Sequence, residues 1–131
     1  MYKTEVRPSP IHGLGCFLLE PVAKGSVVWG ITYKLDKMIT EDELAAMNPL
    51  WQDMVLRYAY RTGKYYVLCM DDARYMNHAE GGACSLISDH AHRDVAVRDL
   101  VPGDELTCDY RTFDLDWERK LGMTPERRSH G

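Results

Sequence analysis

The strand-forming runs of this chain are all short, and they are scattered around one helical stretch. Val27 to Tyr33 is rich in β-branched and aromatic residues and follows the turn signal Lys24-Gly25. After the helical stretch come Tyr65 to Met70, Ser85 to Ser88, Asp94 to Arg98 and Glu105 to Asp109, broken by Gly81-Gly82 and Pro102-Gly103. Such runs, bounded by turn residues, predict strands. None is followed by the long crossover helix that a parallel, doubly wound sheet needs, so the pattern predicts a mainly β domain with short helices and disfavours a Rossmann fold.

The helical stretch announces itself through its ends. Thr40-Glu41-Asp42-Glu43 is a capping box with acids at the favourable end of the helix dipole, and Leu44, Ala45 and Met47 give it an apolar stripe. Asn48-Pro49 stops that helix and opens a second. There Leu50, Trp51, Met54, Val55 and Tyr58 recur at three- and four-residue spacing, which predicts an amphipathic helix packed on a sheet, with Gly63 as its stop. A last short helix is expected over Phe113 to Leu121, capped by Asp114, with Trp117 and Leu121 on one face. These readings place one domain over residues 1–121 and a flexible tail over 122–131.

At 131 residues with 45% hydrophobic side chains, one core is within reach. The net charge of −4, with 16 Lys and Arg scattered among 20 acids, argues against direct nucleic-acid binding, which wants a clustered basic surface. The first twenty residues carry Lys3, Glu5, Arg7 and His12 and no apolar core of a signal peptide or membrane span, so a cytoplasmic protein is expected. Cys16, Cys69, Cys84 and Cys108 have no C-x-x-C spacing, which disfavours structural zinc. Three of them sit in apolar runs and read as small buried hydrophobes. Cys84, in a loop after His78, keeps a minor reading as a nucleophile if His78, His90 or His92 stands near it.

Three motifs carry chemistry only in combination. His12-Gly13-Leu14-Gly15 lacks the third glycine and the following helix of a dinucleotide fingerprint; alone it is a turn, or a place where backbone lines a small-molecule pocket. Asn77-His78, after Arg74-Tyr75-Met76, reads alone as an Asx turn with an exposed histidine. Val101-Pro102-Gly103-Asp104 is a β-turn into a strand that ends at Tyr110, whose phenol belongs either to the core or to a cleft.

In order, His12 to Gly15, Gly25, Arg74-Tyr75-Met76-Asn77-His78 and Val97 to Tyr110, with Gly103-Asp104-Glu105-Leu106-Thr107-Cys108-Asp109-Tyr110 at its end, resemble the SET-domain protein lysine methyltransferases, from about Val6 to Tyr110. That resemblance implies a SET-type β-clip fold of several small sheets with a threaded C-terminal segment. It implies S-adenosylmethionine as methyl donor, held around Gly13, Leu14 and Gly15 and by Arg74, Asn77 and His78, with Tyr110 catalytic. It implies a protein substrate with an accessible lysine, whose channel suits aromatic side chains; Tyr33, Tyr65, Tyr66, Phe113 and Trp117 are the candidates. The chain departs from the family after His78, where Ala79-Glu80-Gly81-Gly82-Ala83-Cys84 replaces Ser-Cys-x-Pro-Asn, and it has no cysteine-rich flanks. The channel wall must then come from Arg111 to Leu121, from a partner subunit in a homodimer, or from the substrate. The same departures leave a second reading, a non-catalytic binding module on the same scaffold.

Overall fold

The computed structural model describes residues 2–32, 34–88 and 93–122, so Tyr33, His90, His92 and the expected tail beyond 122 lie outside the described residues. The strands are β1 (Thr4–Pro8), β2 (Leu14–Leu18), β3 (Val27–Gly30), β4 (Lys37–Thr40), β5 (Tyr60–Arg61), β6 (Tyr65–Leu68), β7 (Asn77–His78), β8 (Leu86–Ser88), β9 (Arg93–Ala96) and β10 (Glu105–Cys108). The helices are α1 (Glu41–Ala45), α2 (Pro49–Tyr58) and α3 (Trp117–Lys120). Among the described residues the strands form three small sheets, ordered β1-β2-β10-β7, β3-β9-β8 and β4-β6-β5. The fold is thus the mainly β arrangement of several small sheets with short helices that the sequence predicts.

The first sheet places the motifs. β1 and β2 form an antiparallel hairpin in which Pro8 faces Leu14, and His12-Gly13 makes its turn, with Gly13 at φ +45° and Ser9 N–H donating to Gly13 O at 2.8 Å. β10 then pairs antiparallel with β2, Leu106 opposite Cys16, and parallel with β7, Thr107 opposite Asn77 and Cys108 opposite His78. Buried Ser85 stitches the start of β8 to β10: Thr107 N–H donates to Ser85 Oγ at 2.8 Å, and Ser85 N–H donates to Thr107 Oγ1 at 3.0 Å. Leu106, Cys16, Leu18, Leu86, Leu100 and Val28 fill the main core. Each such aliphatic side chain contributes on the order of 2 kcal/mol.

The helical insert forms as its caps require. Thr40 Oγ1 accepts the Glu43 N–H while the Glu43 carboxylate accepts the Thr40 N–H, and Asn48 caps α2 through the Trp51 N–H. Four expectations need correction. α2 stops at Tyr58, ahead of Gly63, because Ala59 turns extended and Tyr60-Arg61 pair with β6. Its apolar residues are not all core: Val55 packs with Ile39, Leu44, Ala59, Tyr66 and Leu68, while Leu50, Trp51 and Met54 are 76%, 58% and 42% exposed, since α1 and the β4-β6-β5 sheet cover only one side of the helix. Asp114 is no helix cap; α3 is a single turn, and the Asp114 carboxylate is buried among backbone donors and a lysine. The strand expected over Val27 to Tyr33 also ends at Gly30, where the Asp36 carboxylate takes the Thr32 and Met70 N–H groups.

Asp114 fastens the C-terminal segment. Its Oδ1 accepts Arg61 N–H and Asp116 N–H at 3.0 and 2.9 Å, and its Oδ2 pairs with Lys120 Nζ at 2.6 Å, the lysine also donating to Ala59 O. Breaking a pair buried this deeply leaves a charge without compensation. Asp114→Ala is expected to cost roughly 3–5 kcal/mol in urea unfolding. A second prediction concerns Gly15, where an added Cβ would stand 2.5 Å from Glu105 Oε2 and 3.0 Å from Ser9 Cβ. Gly15→Ala should destabilise by about 1–3 kcal/mol by displacing the hydrogen-bonded Glu105 carboxylate, and should cost much less in a Glu105→Ala background. Equal costs in the two backgrounds would contradict this coupling.

Candidate active site

The three motifs meet through one side chain. Asn77 is buried, and its Nδ2 donates to His12 O at 3.0 Å, Leu14 O at 3.1 Å and Glu105 Oε2 at 2.9 Å. The Glu105 carboxylate in turn accepts the Ser9 hydroxyl at 2.8 and 2.9 Å. Gly15 is glycine because this carboxylate occupies the place of its side chain. The turn Gly13 to Gly15, Asn77 and Glu105 therefore form one hydrogen-bonded node. Glu105 is the member that sequence reasoning missed. Its signal is the polar pair Glu105 and Thr107 on one face of a strand whose other face, Leu106 and Cys108, is apolar.

His78 and Tyr110 lie next along the β7–β10 pair. Tyr110 N–H donates to His78 Nδ1 at 3.1 Å, so the neutral ring carries its proton on Nε2. That nitrogen is buried and makes no hydrogen bond to a described residue, the nearest carboxylate oxygen, Glu80 Oε1, being 3.5 Å away. Tyr110 Oη donates to Met76 O at 2.6 Å. Burial, helped by the Asp114 and Glu105 charges, pushes the phenol well above its ordinary pKa. Asp109 aims this segment: its carboxylate accepts the Arg111 N–H and grips the Arg111 guanidinium at 3.0 and 2.8 Å, which holds it far below the usual carboxylate range. The unusual loop after His78 is tied to the same place, with Ala79 N–H donating to Cys108 O at 3.1 Å and Gly81 N–H reaching Asp109 Oδ2 at 3.4 Å. Cys84 is buried there and spends its thiol on Gly81 O at 2.9 Å.

Tyr110 also lines a cleft enclosing about 680 Å³, open mouth included. Its buried floor holds Cys69, Met76 and Cys108; its walls hold Trp29, Tyr58, Tyr60 and Phe113. Four of these rings run edge to face in a chain, Trp29 to Tyr60 at 6.3 Å, Tyr60 to Phe113 at 5.4 Å and Phe113 to Tyr110 at 6.0 Å, and Tyr110 leans on His78 at 5.2 Å. A bulge opposite β9 turns both Val28 and Trp29 inward, which is how Trp29 reaches the cleft.

Of the residues expected from sequence, Tyr110, Phe113 and Arg74 share this cleft. Gly13, Leu14, Gly15, Asn77 and His78 belong to the adjoining node and do not line it. Arg74 is apart from that node: its guanidinium lies 5.7 Å from the Tyr58 ring centroid and 5.1 Å from that of Tyr75. Tyr66 packs in the second core under the Arg61 guanidinium, Tyr65 alternates to the outside, and Trp117 lies outside the cleft. Trp29, Tyr58 and Tyr60 take the wall positions instead. No sequence signal marks them, because two strand ends and a helix end bring them together.

No curated protein matches the sequence. Among solved structures, the chain is similar to a candidate histone methyltransferase of Plasmodium falciparum, at 19% identity and TM-score 0.59, over 84% of this chain and 94% of that one. It is similar to a chain of the Chaetomium thermophilum Polycomb Repressive Complex 2 in an autoinhibited conformation bound to S-adenosylmethionine, at 20% identity and TM-score 0.64, over 98% of this chain and 17% of that one. A humanized mutant of the same complex, bound to the inhibitor GSK126, matches at 20% identity and TM-score 0.61, over 90% of this chain and 16% of that one. The chain thus spans about a sixth of the Polycomb chains it matches, and at these identities the likeness is one of fold. Among the described residues no helix is long and apolar enough to cross a membrane. The SET domain family matches residues 13–111, from the turn glycine of the node to the arginine after Tyr110. With the node, the tyrosine and most of its length inside that match, the chain belongs to the SET domain family.

Proposed function

We propose that this SET domain transfers a methyl group from S-adenosylmethionine to the side-chain amine of a lysine in a protein substrate. The observation that carries the reading is the Tyr110 hydroxyl at the wall of an aromatic cleft. Its proton is committed to Met76 O, so its lone pairs are left to accept an N–H of an incoming amine. A lysine stem with its methylene groups against Phe113, Tyr60 and Trp29 brings that amine to Tyr110, and the desolvated walls favour the neutral, nucleophilic form over the ammonium.

The residues around the node fit the cofactor by the chemistry of their donors. Among the described residues His78 Nε2 is a buried donor that makes no hydrogen bond, and the Gly13 turn leaves open space where a side chain would stand. We assign the holding of S-adenosylmethionine to Gly13, Leu14, Gly15, Asn77 and His78. When bound, this group supplies a methyl on a cationic sulfur, so that an N–C bond forms as the S–C bond breaks and the methylated ammonium releases its proton to solvent. Asn77 keeps the turn at its distance from β10, His78 holds the Tyr110 N–H, and Asp109 holds the Arg111 N–H next to it. Tyr110 orients the amine; its raised pKa keeps it a neutral phenol, so it acts by position and not as a phenolate base.

Two expected outcomes test this. Tyr110→Phe should lower kcat on lysine-bearing protein by ~10²-fold while leaving S-adenosylmethionine affinity, measured by calorimetry, near that of the wild type. Tight cofactor binding with no methyl transfer to any lysate protein, or full turnover by Tyr110→Phe, would overturn the enzymatic reading in favour of a binding module. The pH profile follows from the sign of the Tyr110 shift. A phenol raised above its ordinary value of ~10 stays protonated throughout the range in which the lysine, at ~10.4, loses its proton. Activity should therefore rise from pH 7 to about 9.5 without a descending limb from Tyr110, and a fall across that interval in a folded enzyme contradicts the assignment.

A further inference from the structure

Two guanidiniums stand at the cleft without an acid among the described residues. Several arginines of this acidic chain are matched: Arg7 with Glu5, Arg61 with Glu41 and Asp116, Arg111 with Asp109, and Arg119 with Asp116. Arg57 and Arg74 line the cleft, and neither meets a carboxylate among the described residues. The Arg74 guanidinium lies near the Tyr58 and Tyr75 rings, with one N–H on Tyr75 Oη at 3.3 Å, contacts that restrain its side chain. Arg57 is exposed on the last turn of α2, next in sequence to Tyr58.

The acids of the same cleft are engaged inward. Asp114 is neutralised by Lys120, and buried Asp94 accepts the Ser88 hydroxyl at 2.7 Å. The cleft is therefore aromatic within and cationic toward its exposed end, which is an unfavourable setting for the lysine-rich, basic segment that the acidic overall charge would otherwise attract.

We propose that the cleft selects a lysine that has an acidic residue close to it in the protein substrate, Arg57 and Arg74 receiving the carboxylate while the lysine stem enters the aromatic walls. The inference rests on the reading of this cleft as the amine channel. A planar guanidinium restrained by two rings, with a second cation lining the same cleft, suits a carboxylate, and the match places specificity in charge rather than in shape. The same chemistry is carried by the carboxylate of S-adenosylmethionine, so the experiment separates the two sources.

Short peptides with one central lysine, identical except for glutamate, glutamine or arginine beside it, are to be measured both for binding, through Trp29 fluorescence or anisotropy, and for methyl transfer. The glutamate peptide should bind on the order of 10-fold more tightly than the glutamine peptide at low salt, and the advantage should shrink as salt is raised. In Arg57→Glu the order should invert toward the arginine peptide; in Arg74→Lys, which keeps the charge and loses the fork, the glutamate advantage should fall toward unity. In both variants the affinity for S-adenosylmethionine should hold. Equal binding of the three peptides, or preference of the wild type for the arginine peptide, overturns the proposal even if turnover is seen. Loss of S-adenosylmethionine affinity in the variants with an unchanged peptide order also overturns it and gives the carboxylate to the cofactor. Charge-ordered binding that inverts in Arg57→Glu supports it even without turnover, in which case the enzymatic reading falls and the acidic preference stands.

Discussion

One side-chain amide holds the site together. Asn77 reaches carbonyls 65 and 63 residues away and a carboxylate 28 residues away, joining the hairpin turn, the two-residue strand β7 and the start of β10. A strand of two residues has too few backbone bonds to place itself, and a buried amide is costly unless its N–H groups are used. Here both needs are met at once. Glu105 takes the third position in the node and, with Ser9, fills the space that the missing Gly15 side chain leaves. The parallel pairing of β7 with β10 then sets His78 beside Tyr110, and everything proposed for the chemistry depends on that placement.

Tyr110 sits at the junction of two environments. Its backbone belongs to the hydrogen-bonded node through His78, and its ring belongs to the chain of aromatic side chains that walls the cleft. The division suits a reaction between two molecules that enter from different surroundings, one held by polar backbone and amide groups and the other by rings. The residue lines the cleft, and its hydroxyl is anchored on the Met76 carbonyl.

What the sequence made legible was local. The capping box at Thr40, the Asn48 cap and the turn before β10 all formed as expected, because each is decided within four residues. The order of the three motifs pointed to the family, and the structure brings Tyr110, Asn77, His78 and the glycine turn into contact. The aromatic walls were not legible. Alternation along β6 says that Tyr65 and Tyr66 face opposite ways, but not which way the cleft lies; it lies on neither side, and a bulge in β3 brings in Trp29 instead. Periodicity in α2 marked a helix without saying what it faces, so Leu50, Trp51 and Met54 read as core and are exposed. The glycine pair was legible as a turn, which Gly13 makes, whereas the carboxylate 90 residues on in β10 that requires Gly15 was not.

The strand order of the first sheet has a kinetic meaning. β10 is the inner strand between β2 and β7, and its bonds reach back as far as Ser9, 96 residues away. Loops of that length close late and slowly compared with the local caps of α1 and α2. The hairpin and the helices rest on local contacts, but neither the node nor the tyrosine exists as a site until β10 has paired with both β2 and β7. The node is therefore completed by the longest-range contacts of the sheet, and any molecule that binds it stabilises that pairing by mass action.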